Sequence, residues 1–82
     1  MKVLVKLTIP SIGETYDVWI PDFVMVSEVV IMAARAVGIL SDNRYVPSGT
    51  ECLCLKKGIG VLRPDFRLID YGIRHGDSLV LI

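Results

Sequence analysis

The tightest constraint on the fold is the strict alternation that runs from Lys2 to Ile20. Val3, Val5, Leu7 and Ile9 alternate with Lys2, Leu4, Lys6 and Thr8, and a period of two sets each series on its own face of a strand. Tyr16, Val18 and Ile20 alternate in the same way with Thr15, Asp17 and Trp19, and Pro10, Ser11, Ile12 and Gly13 between the runs supply turn chemistry. The two runs form a hairpin. With Ile9 set against Glu14, the register pairs Leu7 with Tyr16, Val5 with Val18 and Val3 with Ile20 on the face to be buried. The other face then carries Thr8 with Thr15, Lys6 with Asp17 and Leu4 with Trp19. Polar and opposite-charge pairs suit a solvated face. The Leu4 and Trp19 pair does not.

From about Met25 the spacing changes. Val26, Val29, Val30, Ala33 and Val37 recur at three and four residues, the stripe of one helix face, with Glu28 and Arg35 opposite. Ile31 and Met32 flank the charged face and are expected to be partly exposed, a secondary candidate for contact. Gly38 fits the left-handed position that ends a helix, with Ile39 folding back as its apolar partner. No strong side-chain cap stands at the start, where Pro21 and Asp22 precede the stripe. The length of the apolar run from Phe23 to Leu40 invites comparison with a membrane span, but Ser27, Glu28 and Arg35 interrupt it. It reads as a helix of a soluble domain, with no direct membrane insertion.

Ser41 to Thr50 is a polar loop. Glu51 to Lys57 alternates again and predicts a third strand, Gly58 and Gly60 predict a turn, and Val61 and Leu62 a brief fourth strand. Pro64 to Ile73 reads as a short helical turn and connector. Gly76 and Asp77 then lead into a terminal strand, Ser78 to Ile82, with Leu79 and Leu81 on one face and Val80 and Ile82 on the other. With no repeat or linker, residues 1–82 read as a single domain.

Composition limits what such a domain can do. Hydrophobic residues make up 52% and the mean hydropathy is +0.56, more than a small interior needs, so apolar surface is expected to remain outside. Nine basic and nine acidic residues cancel, which argues against nucleic acid as a partner. Lys2 and Lys6 break up the amino terminus before a signal-peptide core can form, so the default location is cytoplasmic. Cys52 and Cys54 stand too close on one strand for an ordinary bridge and read as reduced thiols.

Hairpin, helix and further strands in that order make an α+β, β-grasp arrangement, a mixed sheet of four to five strands packed on one helix. The last third of the chain resembles ubiquitin residue by residue: Leu68, Asp70, Tyr71, Ile73, Leu79 and Leu81 follow the ubiquitin pattern without a gap. Tyr71 is expected in a tight connector, its ring on the core and its hydroxyl bonded to nearby backbone. Within that superfamily the chain resembles the YukD/EsaB-like family, small bacterial ubiquitin-fold proteins associated with type VII (WXG100) secretion. The residues that carry this are Asp22 and Phe23 before a valine-rich helix, then Asp70, Gly72, Ile73, Gly76, Asp77 and Leu79. The sequence closes on Val80, Leu81 and Ile82, whereas conjugating and sulfur-carrying β-grasp proteins resemble one another in a flexible Gly-Gly tail. Modifier and carrier roles are disfavoured on that reading.

Candidate chemistry is thin. Cys52 and Cys54 on one strand face are half of a metal or redox site, but a closed zinc site takes four ligands and His75 is the sole histidine. Gly58-Ile59-Gly60 lacks the third glycine, lysine or helix of a phosphate cradle and reads as a turn. No catalytic, cofactor or metal site is expected. A terminal strand lying between the first and third would put Leu4, Trp19, Cys52, Cys54, Val80 and Ile82 on the sheet face away from the helix. Ubiquitin docks partners through the equivalent face, and the resemblance implicates Cys54, Val80 and Ile82 by position. The expected function is non-catalytic binding of protein partners, among them secretion-apparatus components, with Trp19 as the anchor. The competing readings are a domain of a larger membrane secretion component, a carrier whose Gly-Gly tail lies beyond the sequence, and a homo-oligomer formed through the apolar sheet face.

Overall fold

The computed structural model describes residues 1–56 and 60–82. Its elements are β1 (Lys2–Ile9), β2 (Glu14–Pro21), α1 (Val26–Leu40), β3 (Leu53–Leu55), a 3₁₀ turn (Leu68–Tyr71) and β4 (Ser78–Leu81). The strands make one mixed sheet in the order β2-β1-β4-β3. The hairpin register is the one that hydrophobic pairing predicts, from Val3 opposite Ile20 to Ile9 opposite Glu14. β4 lies parallel to β1, with Leu7 beside Leu79 and Thr8 beside Val80, and antiparallel to β3, with Leu53 beside Leu81.

One face of the sheet and one face of the helix close the core. Val5, Leu7 and Ile9 are fully buried, as are Val29, Val37, Leu53, Leu68 and Leu79. Burying each such side chain is worth about 1.5–3 kcal/mol. Val26, Ala33 and Ala34 complete the buried helix stripe, while Val30 is only half-buried and Ile31 and Met32 are exposed.

The missing helix cap has a tertiary explanation. The first-turn amides of Val26 and Ser27 donate to the carbonyls of Phe66 (2.7 Å) and Pro64 (3.1 Å), so backbone from far along the chain does what a side chain does elsewhere. The other end differs from expectation. Gly38 does not cap the helix; it is buried within it, and the helix continues to Leu40. The left-handed positions are Asp42 and Asn43, at φ 55° and 65°, residue types that tolerate that region. The Asn43 amide donates to the Gly38 carbonyl at 2.9 Å. A side chain at position 38 would meet the Tyr45 carbonyl at 3.4 Å, so this glycine serves the close approach of the following loop. Ile39 points outward and is 80% exposed.

Two more expectations are corrected. The third strand spans only Leu53–Leu55, although Cys52 and Ile82 exchange backbone bonds at 2.7 and 2.9 Å just before it. Lys57, and Gly58 and Ile59 of the turn expected at Gly58 and Gly60, lie outside the described residues, while Gly60 takes the positive φ of 89° that suits a turn. The brief fourth strand reduces to one bridge between Cys54 and Val61 and a bond from the Leu62 amide to the Leu53 carbonyl. The connector follows the reading: Tyr71 packs on the core and its hydroxyl accepts from the Arg63 amide at 2.8 Å.

The loop before β3 is organised by one carboxylate. Glu51 accepts from the Tyr45 hydroxyl at 2.6 Å, the Ser48 amide at 2.7 Å and the Gly49 amide at 3.0 Å. Burial works against its charge, but the Tyr45 hydroxyl and the backbone donors outweigh burial and bring the carboxyl from 4.5 down to about 2. Burial, then the bond to Glu51 and its charge, push Tyr45 from 10.0 up to about 12. The clamp is therefore at full strength between pH 4.5 and 10.0, fades as pH falls toward 2, and fades again as pH rises toward 12. Glu51→Ala is expected to cost about 1–3 kcal/mol at neutral pH. In urea titrations across pH, its deficit against the unsubstituted protein should shrink in both of those outer windows.

Candidate functional site

The parallel pairing of β1 and β4 decides how the outward face of the sheet is laid out. Side chains of that face fall into rows, because partners across a ladder stand side by side and every second residue shares a face. The first row holds Trp19 opposite Leu4. The turn before β4 brings His75 to the same end. Its Nδ1 accepts from the Leu4 amide at 3.0 Å, and its ring meets Trp19 edge to face, with centroids 5.7 Å apart at 78°. The imidazole is thus fixed on one side by backbone and braces the indole on the other. Trp19 nevertheless remains 61% exposed.

The next row is polar. Asp17 and Lys6 pair at 3.3 Å, Ser78 stands beside Lys6, and the Lys56 amide donates to the Ser78 carbonyl from the far side. The ion pair is solvated and worth at most about 1 kcal/mol, so its effect is on the pattern of the surface. The third row joins Thr15 and Thr8, bonded through their hydroxyls at 3.1 Å, to Val80 and Cys54. Beyond it lie Cys52 and Ile82, the latter 68% exposed.

The six residues expected on this face are all there, but they do not form one patch. Leu4 and Trp19 stand roughly 13 Å from Val80 along the strands, four residues at about 3.3 Å each. The Lys6 and Asp17 row lies between them. The face is therefore an aromatic end, a charged band and an aliphatic end. Leu4 and Val80 are half-buried, Cys52 is exposed, and Cys54 departs from expectation. Cys54 is only 7% exposed, flanked by Val80 on one side and bridged to Val61 on the other. Burial, and secondarily the neighbouring Cys52, push its thiol up, which keeps it protonated and a poor nucleophile.

His75 is the residue that sequence reasoning missed here. The sole histidine stands beside Trp19, at the opposite end of the face from the cysteines. Its place follows from the β1–β4 offset, in which Gly76 donates to the Leu4 carbonyl at 2.8 Å and the preceding residue flanks Leu4; the spacing of neighbouring residues carries no signal of it. Among the described residues no three His, Cys, Asp or Glu side chains are grouped to share a metal ion.

Residues 4–81 match the family described as the WXG100 protein secretion system (Wss) protein YukD. The chain belongs to the YukD family. Solved structures agree on the fold. The ubiquitin-like domain of the Mycobacterium tuberculosis type VII secretion protein EccD1 superimposes with a TM-score of 0.79 at 14% identity, over 100% of this chain and 98% of that one. The ubiquitin-like domain of Plasmodium falciparum Dsk2 gives 0.73 at 20% identity, over 99% and 96%. Protomer 1 of an ESX-3 core complex gives 0.75 at 20% identity, over 100% of this chain and 16% of that one. No curated protein matches the chain. The α+β architecture of this YukD-family chain is therefore the ubiquitin-like β-grasp, and no helix among its described residues is long and apolar enough to cross a membrane.

The environments of the two thiols differ enough to test by labelling. A maleimide should modify Cys52 in the folded protein and reach Cys54 only after denaturation, with intact-mass spectrometry reading one adduct and then two.

Proposed function

We propose that this YukD-family chain is a non-catalytic, cytoplasmic accessory or regulatory component of the WXG100 secretion apparatus, acting as one domain over residues 1–82. It docks protein partners on the outward face of its sheet. One observation carries the reading: Trp19 stands largely in water, with His75 edge to face against its ring and Leu4 opposite it. A rigid aromatic on a flat surface loses little freedom when a partner covers it, and such residues dominate interface energies. The banding specifies the partner further. It must offer apolar surface to Trp19 and Leu4 at one end and to Val80, Cys52 and Ile82 at the other, with a polar strip over Lys6 and Asp17. Free thiols at Cys52 and Cys54 suit a reducing compartment.

A second reading makes the same fold a part of a longer secretion component, with the outward face covered by a neighbouring domain. It is favoured by the likeness to EccD1 and to about one sixth of the ESX-3 protomer. The reading frame around residues 1–82 of the gene separates the two.

The test is a pull-down from cytosolic and membrane lysate, repeated with Trp19→Ala and with Trp19→Ala combined with Val80→Ala. Because Trp19 is exposed, its truncation should leave the far-ultraviolet circular dichroism spectrum unchanged. Loss of about 2 kcal/mol or more of binding, roughly thirty-fold in Kd, is expected for the single variant. A folded Trp19→Ala protein that holds every partner at unchanged affinity would sink the proposal. Light scattering across concentration tests whether the partner is a second copy.

A further inference from the structure

The two strands at the sheet's edges are not equally finished. Along β1, the amides of Leu4 and Lys6 and the carbonyl of Leu4 are bonded toward the β4 side, by His75, Asp77 and Gly76. Backbone polar groups alternate sides along a strand, so Val3, Val5, Leu7 and Ile9 turn theirs toward β2 and meet those of Ile20, Val18, Tyr16 and Glu14. The amide of Asp22 donating to the Met1 carbonyl at 2.9 Å keeps the same parity. Thr15, Asp17 and Trp19 must then turn their N–H and C=O groups away from the sheet. Among the described residues none of these groups has a hydrogen-bond partner. β3 is different: its outer side is met by Gly60, Val61 and Leu62.

Beneath this open edge runs an apolar groove between β2 and α1, lined by Val18, Trp19, Ile20, Met32, Ala33 and Ala36, with a volume of about 60 Å³. That is roughly twice a water's share of the liquid, room for a short branched aliphatic side chain. We propose that β2 accepts an added strand, an extended segment of another protein whose alternate residues are small aliphatics facing the groove and basic residues facing the outward side. An extended chain is the one occupant that satisfies the outward donors and acceptors of three alternate residues at once. The basic requirement comes from Asp17, the one charged residue of β2 on the outward side, whose partner Lys6 sits on its β1 side at 3.3 Å and leaves the edge side of the carboxylate to a foreign cation. A second copy is the wrong occupant. Antiparallel pairing of two β2 edges that uses all of Thr15, Asp17 and Trp19 sets Asp17 against Asp17, and a shift toward the carboxyl end brings in Pro21, which has no N–H.

The probe is a blocked peptide of alternating valine and lysine as long as β2, 8 residues, titrated into the full chain under amide NMR. Saturable shifts and slowed hydrogen exchange are expected at Thr15, Asp17 and Trp19. The valine–glutamate counterpart should bind roughly five-fold or more weakly, as should the valine–lysine peptide against Asp17→Lys. Asp17→Pro removes one outward donor without taking a bond from β1 and should abolish protection. No slowed exchange up to millimolar peptide, equal affinity for both peptides, or a dimer that Asp17→Asn strengthens would each overturn the open edge as a site for a foreign strand.

Discussion

The parallel contact between β1 and β4 holds the rest of the structure in place. Lys6 beside Ser78 and Leu7 beside Leu79 join the two ends of the chain at the middle of the sheet. Parallel neighbours cannot be linked by a tight turn, so everything between them, α1 included, is the crossover that their pairing demands. Leu7 shows the consequence: it is flanked by Tyr16 on one strand and Leu79 on the other and lies wholly inside. The same contact orders the outward face, because it puts the turn before β4 beside Leu4 and so carries His75 to Trp19.

The proposed docking lies on surfaces left over after the core is complete. The helix covers one side of the sheet and leaves the other to water. There Lys6 and Asp17 keep the centre polar while Trp19, Leu4, Val80 and Ile82 keep the two ends apolar. An exposed aromatic so firmly braced contrasts with Cys54, which the bare alternation assigns to the same face but which its neighbours enclose. Exposure along one face is thus decided residue by residue, by what the adjoining segment covers.

Much of this was legible in the residues. The hairpin register followed from matching Val3, Val5 and Leu7 to Ile20, Val18 and Tyr16, since a one-residue slip would have turned every apolar side chain outward. Tyr71 could be placed because its neighbours fit a pattern shared with ubiquitin. Gly38 was misplaced because a glycine near a helix end has two uses, and the choice depended on Tyr45 and Pro47 folding back over it. The helix start was opaque for a similar reason: its caps are carbonyls of Pro64 and Phe66, and a backbone carbonyl leaves no mark on the residue that bears it.

Local periodicity, then, was enough to determine the hairpin, the presence of the helix and the terminal strand, the buried rows and the set of residues on the outward face, because alternation and helical spacing are properties of neighbouring positions. The division of that face into two apolar ends, the bracing of Trp19 by His75, the enclosure of Cys54 and the unpaired edge of β2 were decided only in three dimensions. Each depends on the offset between strands far apart in the chain, and that offset is set by long-range pairing that the spacing of neighbours does not encode.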